Sequence, residues 1–200
     1  MKLENFFITE YQDGEMLPYE RYKLYNWILD SNPNNILEIG CGTCGGSTKF
    51  MSDALDKLNN GHIFCCDPSR GPSQKFLQNH PRVHYSKTTS LELIDYIINE
   101  KIDINFLFFD GPENPDIAYD DLIILENYIK SGTKFAMHDW HIGIRGYDNN
   151  ASTKSVKIKE YMESSNKWQQ IEILKGDLKN NQDWPDEFDS VGMCFYEFTK

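Results

Sequence analysis

Apolar and polar positions fall in blocks that switch between a helical and a strand period. Residues 18–30 predict a helix with Tyr22, Tyr25 and Ile28/Leu29 on one stripe. Ser31-Asn32-Pro33-Asn34-Asn35 breaks it, and residues 36–39 read as a first strand. A helix over 47–58 turns Met51, Leu55 and Leu58 inward and is closed by Asn59-Asn60-Gly61. Next come a strand at 62–66, a helix around 72–79, a strand at 82–86, and a helix at 90–99 with Leu91, Ile94, Ile97 and Ile98 facing the core. Residues 103–109 are apolar almost throughout, as in a central parallel strand covered on both faces. A helix over 116–130 carries Leu122, Leu125 and Ile129 and ends at Ser131-Gly132, followed by a strand at 133–138 and a helix at 153–164. Strands at 168–174 and 193–198, joined by a polar connector at 175–192, pair most simply as antiparallel neighbours.

This order predicts an α/β fold: a seven-stranded, mostly parallel sheet with a terminal antiparallel strand pair and helices on both faces. Two hundred residues with 40% apolar content fit a single domain over 1–200, with an N-terminal extension at 1–17. No apolar run reaches the length of a membrane span, and the first ten residues lack the apolar block and cleavage site of a signal peptide. A net charge of -11 argues against nucleic acid as the main partner, because a polyanion needs a basic face. Five cysteines, an odd number without a secretory signal, suit reduced thiols and a cytoplasmic location. Cys41 and Cys44 have C-x-x-C spacing and Cys65-Cys66 is a vicinal pair. Neighbours on a strand point to opposite faces, so small-residue packing is favoured over a metal or redox site.

The chemistry concentrates where strands end. Residues 36–46, Ile-Leu-Glu-Ile-Gly-Cys-Gly-Thr-Cys-Gly-Gly, run a strand into a turn with glycines at 40, 42 and 45. Such a turn brings backbone N–H groups close to a nucleotide-like cofactor. Glu38 would repel a pyrophosphate but suits the positive charges of S-adenosylmethionine (SAM). Asp67, after strand 62–66, stands where a carboxylate accepts hydrogen bonds from ribose hydroxyls, or else caps the next segment. Asp110-Gly111 ends strand 103–109, and His138-Asp139-Trp140-His141 ends strand 133–138. Adjacent parallel strands bring Asp110 and Asp139 to one edge, where two carboxylates suit Mg²⁺ or contact an acceptor hydroxyl directly; the alternative is that Asp110 caps or contacts the cofactor and Asp139 bonds to loop amides. His138 and His141 are candidate general bases, with His138 equally readable as a hydrogen-bonded edge residue. His141 opens a glycine-containing loop at 141–152 that reads as a substrate lid or an ordinary surface loop.

These residues resemble the class I SAM-dependent methyltransferases, and specifically the small-molecule O-methyltransferases related to catechol and macrolide-sugar enzymes. The resemblance covers roughly residues 34–141 and implies a Rossmann-like sheet. It implies that Glu38, Gly40, Cys41, Gly42 and Gly45 form the cofactor turn, with Asp67 at the ribose and Thr89 within Lys87-Thr88-Thr89-Ser90 on the adenine side. Asp110-Gly111, Asp121-Leu122 and His138-Asp139-Trp140 look like the family's D-G…D-L…H-D-W series. In metal-dependent members the first and last of these acids bind Mg²⁺, so Asp110 and Asp139 are the metal candidates and Mg²⁺ the second cofactor. Members often carry a histidine three residues after the D-G aspartate, where this chain has Glu113. Trp140 stands where catechol-type enzymes place an asparagine ligand. The expected reaction is methyl transfer to a hydroxyl of a small sugar- or phenol-like acceptor. Two alternatives are an NAD-dependent oxidoreductase and a non-catalytic SAM-binding module, and a homo-oligomer is compatible with either.

Overall fold

The most apolar strands lie side by side at the centre of the molecule. In the computed structural model, which describes residues 16–140, 154–174 and 192–200, β1 (Asn35–Ile39) lies parallel between β2 (His62–Cys66) and β4 (Phe106–Phe109). With β3 (Val83–Ser86), β5 (Lys134–His138), β6 (Trp168–Leu174) and β7 (Met193–Phe198) they form a seven-stranded sheet of order β3-β2-β1-β4-β5-β7-β6. β2–β3 and β4–β5 are parallel, whereas β7 runs antiparallel to both β5 and β6. The terminal antiparallel pair is therefore present, with β7 inserted between β5 and β6. Burial explains the order: β7 is covered at every position but Glu197, as an interior strand must be, while β6 is exposed along its middle as an edge strand can be.

Helices cover both faces. α1 (Pro18–Ser31), α2 (Ser47–Leu58) and α3 (Gln74–Asn79) bury Leu24, Ile28, Phe50, Met51, Leu55 and Phe76 on one side. α4 (Ser90–Asn99), α5 (Pro115–Glu126) and α6 (Val156–Ser164) bury Ile94, Ile97, Leu122, Leu125, Ile158 and Met162 on the other. The two-residue period of β1 divides its side chains between them, Ile36 to the first core and Leu37 and Ile39 to the second. Cys65 and Cys66 divide the same way, and all five cysteines are free thiols. Among the described residues no helix is long and apolar enough to cross a membrane.

α1, α4 and α5 depart from the pattern-based expectation in ways that the packing explains. α1 turns Glu20, Arg21, Leu24, Tyr25 and Ile28 inward, leaving Tyr22 and Leu29 only partly covered, because Glu20 is drawn to a histidine on β5. In α4, Leu91 is 48% exposed and Leu93 takes the core position, since the capping box formed by Thr89 and Glu92 sets the phase of the helix. α5 stops at Glu126 rather than at residue 130. The Tyr128 hydroxyl donates to the Ile102 carbonyl at 2.8 Å and ties the departing chain to the segment before β4.

The chain leaves β1 toward β2 and β3, and later returns through β4 toward β5 on the opposite side. The strand order reverses between β1 and β4, so the crevice above their C-terminal ends is the ligand position of such a sheet.

Candidate active site

The glycine turn closes over this crevice. Gly40 has φ +87°, and its N–H and that of Cys41 donate to the Cys66 carbonyl at 3.0 and 3.1 Å. The Asp110 N–H donates to the Ile39 carbonyl at 2.8 Å, so the turn is anchored to both neighbouring strands. An added Cβ on Gly40 would lie 2.6 Å from the Gly111 nitrogen and 2.7 Å from the Asp110 carbonyl carbon. Only glycine allows β1 and β4 to approach this closely. Cys41, Cys44 and Cys65 place their sulfurs within 4.8 Å of one another and are buried in the core beneath the turn.

Glu38 does not face the crevice. It is fully buried and accepts hydrogen bonds from the hydroxyls of Ser47 and Thr48, the first two residues of α2, the latter at 2.7 Å. It therefore fastens the start of α2 to β1. Direct contact with a ligand, expected from its place in the motif, is blocked by this burial. Burial pushes the Glu38 carboxyl up to about 8, against the pull of its two hydroxyl partners. The folded chain thus holds a proton there that the unfolded chain loses near 4.5. The resulting stabilisation is complete below the unfolded value and disappears as pH rises through the folded one. At about 1.4 kcal/mol per unit, it is on the order of 5 kcal/mol. Urea unfolding of Glu38→Gln at about pH 6 and about pH 9 should show a much smaller alkaline loss than the unsubstituted chain. Parallel losses in the two proteins would disprove this assignment.

Asp67 faces the crevice from the end of β2. Its Oδ2 accepts the Gly42 N–H at 3.0 Å, and its Oδ1 accepts the Ser69 N–H and hydroxyl and the Arg70 N–H at 2.8–2.9 Å. Burial alone would raise this carboxyl, and the backbone donors outweigh it to hold the group below its ordinary value. A carboxylate oxygen offers about two acceptor positions, so Oδ2 retains one toward the crevice. Thr89 also borders the crevice, with its hydroxyl and N–H engaged by Glu92 in the α4 cap.

At the ends of β4 and β5 the structure assembles a chain of alternating charges. Asp110 and Asp139 come together as expected from parallel neighbours, and Asp139 turns the strand end at φ 55°. Between them lies the Lys154 ammonium, 2.6 Å from Asp110 Oδ1, 2.9 Å from Asp139 Oδ2 and 3.1 Å from the Asp110 carbonyl oxygen. His138 lies behind them, with Nε2 2.9 Å from Glu20 Oε2 and Nδ1 3.3 Å from Asp110 Oδ1. Burial disfavours the imidazolium, but Glu20 and Asp110 outweigh it and raise His138 to about 10. Burial likewise opposes the charges on Asp110 and Lys154. Their mutual attraction, with His138 and Asp139, holds the carboxyl below and the ammonium above their usual ranges. His138 is 1% exposed with both ring nitrogens engaged by carboxylates, and in this position it braces Asp110. Trp140 is buried against Tyr196 and offers no ligand. His141 and the 141–152 loop lie outside the described residues.

A divalent metal does not fit this arrangement. Asp110, His138 and Asp139 converge closely enough for one, but Lys154 already occupies the space between the two carboxylates with a side chain only 2% exposed. Two unit charges 4 Å apart repel by about 4 kcal/mol in a protein-like medium, and a divalent ion doubles that. The Mg²⁺ expected from the motif series has no seat while Lys154 is in place.

The whole assembly surrounds a cavity of about 590 Å³, in the range of small-molecule sites. Its wall includes Gly40, Cys41, Gly42, Gly45, Asp67 and Thr89 together with Asp110, Glu113, Asp139 and Lys154. Residues 37–140, more than half of the chain, match the family profile described as a methyltransferase domain. This chain belongs to the methyltransferase family.

No curated protein matches the methyltransferase's sequence. Among solved structures it is similar to the TomG O-methyltransferase of Streptomyces achromogenes, involved in tomaymycin synthesis and solved with SAM. The two share 13% identity at a TM-score of 0.69, with 99% of this chain and 86% of that chain covered. It is also similar to an O-methyltransferase of Bacillus cereus in complex with S-adenosylhomocysteine (SAH), at 15% identity and TM-score 0.66, covering 94% and 84% of the two chains. An SAH-bound methyltransferase of Podospora anserina shares 12% identity at TM-score 0.59, with 90% and 78% covered. At these identities the likeness is one of fold, and it confirms the Rossmann-like sheet.

Two residues of the methyltransferase's site had no signal in the sequence reading. Lys154 sits two residues before α6 in a polar stretch, and Glu20 falls on a helix whose apolar stripe suggested an outward position. The Ser155 hydroxyl donates to the Asp139 carbonyl at 2.9 Å, holding the turn that aims Lys154 into the cavity. That tie also explains why α6 begins at Val156 rather than at 153.

Proposed function

We propose that this methyltransferase moves the methyl group of SAM to a hydroxyl oxygen of a small sugar- or phenol-like acceptor. The carrying observation is the cavity itself, whose wall combines a glycine turn and Asp67 with the charged cluster of Asp110, Asp139 and Lys154. In this reading the glycine turn holds the methionine portion of SAM, Oδ2 of Asp67 accepts from a ribose hydroxyl, and the Thr89 segment borders the adenine. The sulfonium methyl then points toward Asp110 and Asp139. The S–CH₃ bond breaks as the O–CH₃ bond forms, giving SAH and a methylated acceptor. The hydroxyl proton passes to the carboxylate it hydrogen-bonds, Asp139, whose side chain is 27% exposed at the cavity wall. Catalysis is then mostly alignment of the two reactants with removal of one proton.

The deciding experiment is transfer of labelled methyl from SAM across a panel of hydroxylated sugars and phenols. Labelled product is expected for at least one class, and label appearing only on amine acceptors would overturn the oxygen assignment. Asp67→Ala should weaken SAH binding at least tenfold, equivalent to about 1.4 kcal/mol. Unchanged affinity in that variant would remove Asp67 from the cofactor site.

A further inference from the structure

The acceptor edge of this cavity carries its own cation. The Lys154 ammonium has three N–H donors and three acceptors within 3.1 Å: Oδ1 and the carbonyl oxygen of Asp110, and Oδ2 of Asp139. Glu113 Oε1 lies further out at 3.8 Å. The side chain is 2% exposed, an uncommon burial for a lysine unless it is fully paired, and here it is. Two of its acceptors are the carboxylates whose convergence otherwise calls for a hard divalent ion. The other basic group in contact with them, His138, reaches Oδ1 of Asp110 and of Asp139 through Nδ1 and is itself held by Glu20 through Nε2. Three carboxylates thus meet two built-in cations, and the space between Asp110 and Asp139 is taken.

The geometry points to Lys154 as a built-in substitute for a divalent metal: its ammonium occupies the seat between Asp110 and Asp139, fixes both carboxylates at the acceptor edge, and makes the site metal-independent. This inference deepens the proposed methyl transfer and places Lys154 as a positioning residue that acts through the two aspartates. A corollary is a latent cation site. With the ammonium removed, the Asp110 and Asp139 carboxylates, already within 4.8 Å of one another, are left without the cation between them.

Mn²⁺ titration followed by electron paramagnetic resonance tests this without relying on transfer. The unsubstituted protein should show no bound Mn²⁺ that depends on Asp110, whereas Lys154→Ala should bind Mn²⁺ and lose it again when Asp110→Asn is added. In assays, a chelator or added Mg²⁺ should change transfer by the unsubstituted protein less than twofold. Lys154→Ala with chelator should fall at least a hundredfold, with partial recovery on adding Mg²⁺ and a larger recovery in Lys154→Arg. SAH binding and circular dichroism of each variant report folding separately. Asp110-dependent Mn²⁺ binding by the unsubstituted protein would overturn the inference even if Lys154→Ala failed to fold. So would loss of transfer in chelator that Mg²⁺ restores, or a folded Lys154→Ala that binds no Mn²⁺ and transfers normally. Should no acceptor be methylated at all, the proposed reaction fails while the Mn²⁺ result still decides the role of Lys154.

Discussion

Asp110→Asn is expected to destabilise the protein by about 3–5 kcal/mol, the usual cost of stripping one partner from a buried ion pair. It should also abolish detectable methyl transfer. Asp110 is the shared counter-charge of Lys154 and His138, which are 2% and 1% exposed. The asparagine amide keeps the shape but leaves both cations short of a negative partner. For a chain of this size, 1 kcal/mol corresponds to roughly 2–4 °C, so the melting temperature should fall by roughly 6–20 °C. The sign of the pH dependence follows from the direction of each shift. Asp110 is held below its ordinary range, so its contribution is present above the unfolded value and is lost on acidification. His138 is raised to about 10, so its contribution is complete below about 6.5 and is lost as pH rises through about 10. The gap between variant and parent should therefore be widest near neutrality and shrink toward either extreme. Thermal melts across pH check this, and a uniform gap would contradict the charge-chain account. From sequence alone, loss of Asp110 would be expected to remove activity without unfolding; the buried lysine and histidine make it a stability residue as well.

Gly40→Ala is expected to have the second largest effect. The residue has φ +87°, a conformation that costs a side-chain-bearing residue about 1–3 kcal/mol. The added methyl also meets backbone rather than a yielding side chain, at 2.6 Å from the Gly111 nitrogen. Relief requires β1 and β4 to separate at the crevice, which moves the turn and Asp110 together. SAH affinity should fall at least a hundredfold, by about 2.7 kcal/mol, alongside a clear drop in the urea midpoint. Affinity within threefold of the parent would show that the turn does not hold the cofactor.

The sheet was legible because each strand announces itself locally. The apolar runs of β1, β2, β4 and β5 and the glycine, D-G and H-D-W signals at their ends are contiguous features of the chain. Parallel pairing of β4 and β5 then brings Asp110 and Asp139 together with no further information. What periodicity could not supply was the third dimension. Lys154 reaches Asp110 across 44 positions of chain, and Glu20 reaches His138 across 118. Both are charged residues in contexts that ordinarily face water, and only their mutual pairing makes burial tolerable. Glu38 differs for the converse reason: its position in the motif is as expected, but strand alternation sends it toward α2 and away from the crevice. The position of β7 between β5 and β6 is likewise a matter of strand order, which composition does not encode.

Calorimetric titration with SAH isolates cofactor recognition, because in the proposed reading the demethylated product is held by the turn, Asp67 and the Thr89 segment alone. The account predicts saturable binding of one SAH per chain, weakened in Asp67→Ala and Gly40→Ala. Absence of heat with SAH, together with saturable binding of a nicotinamide dinucleotide, would contradict it.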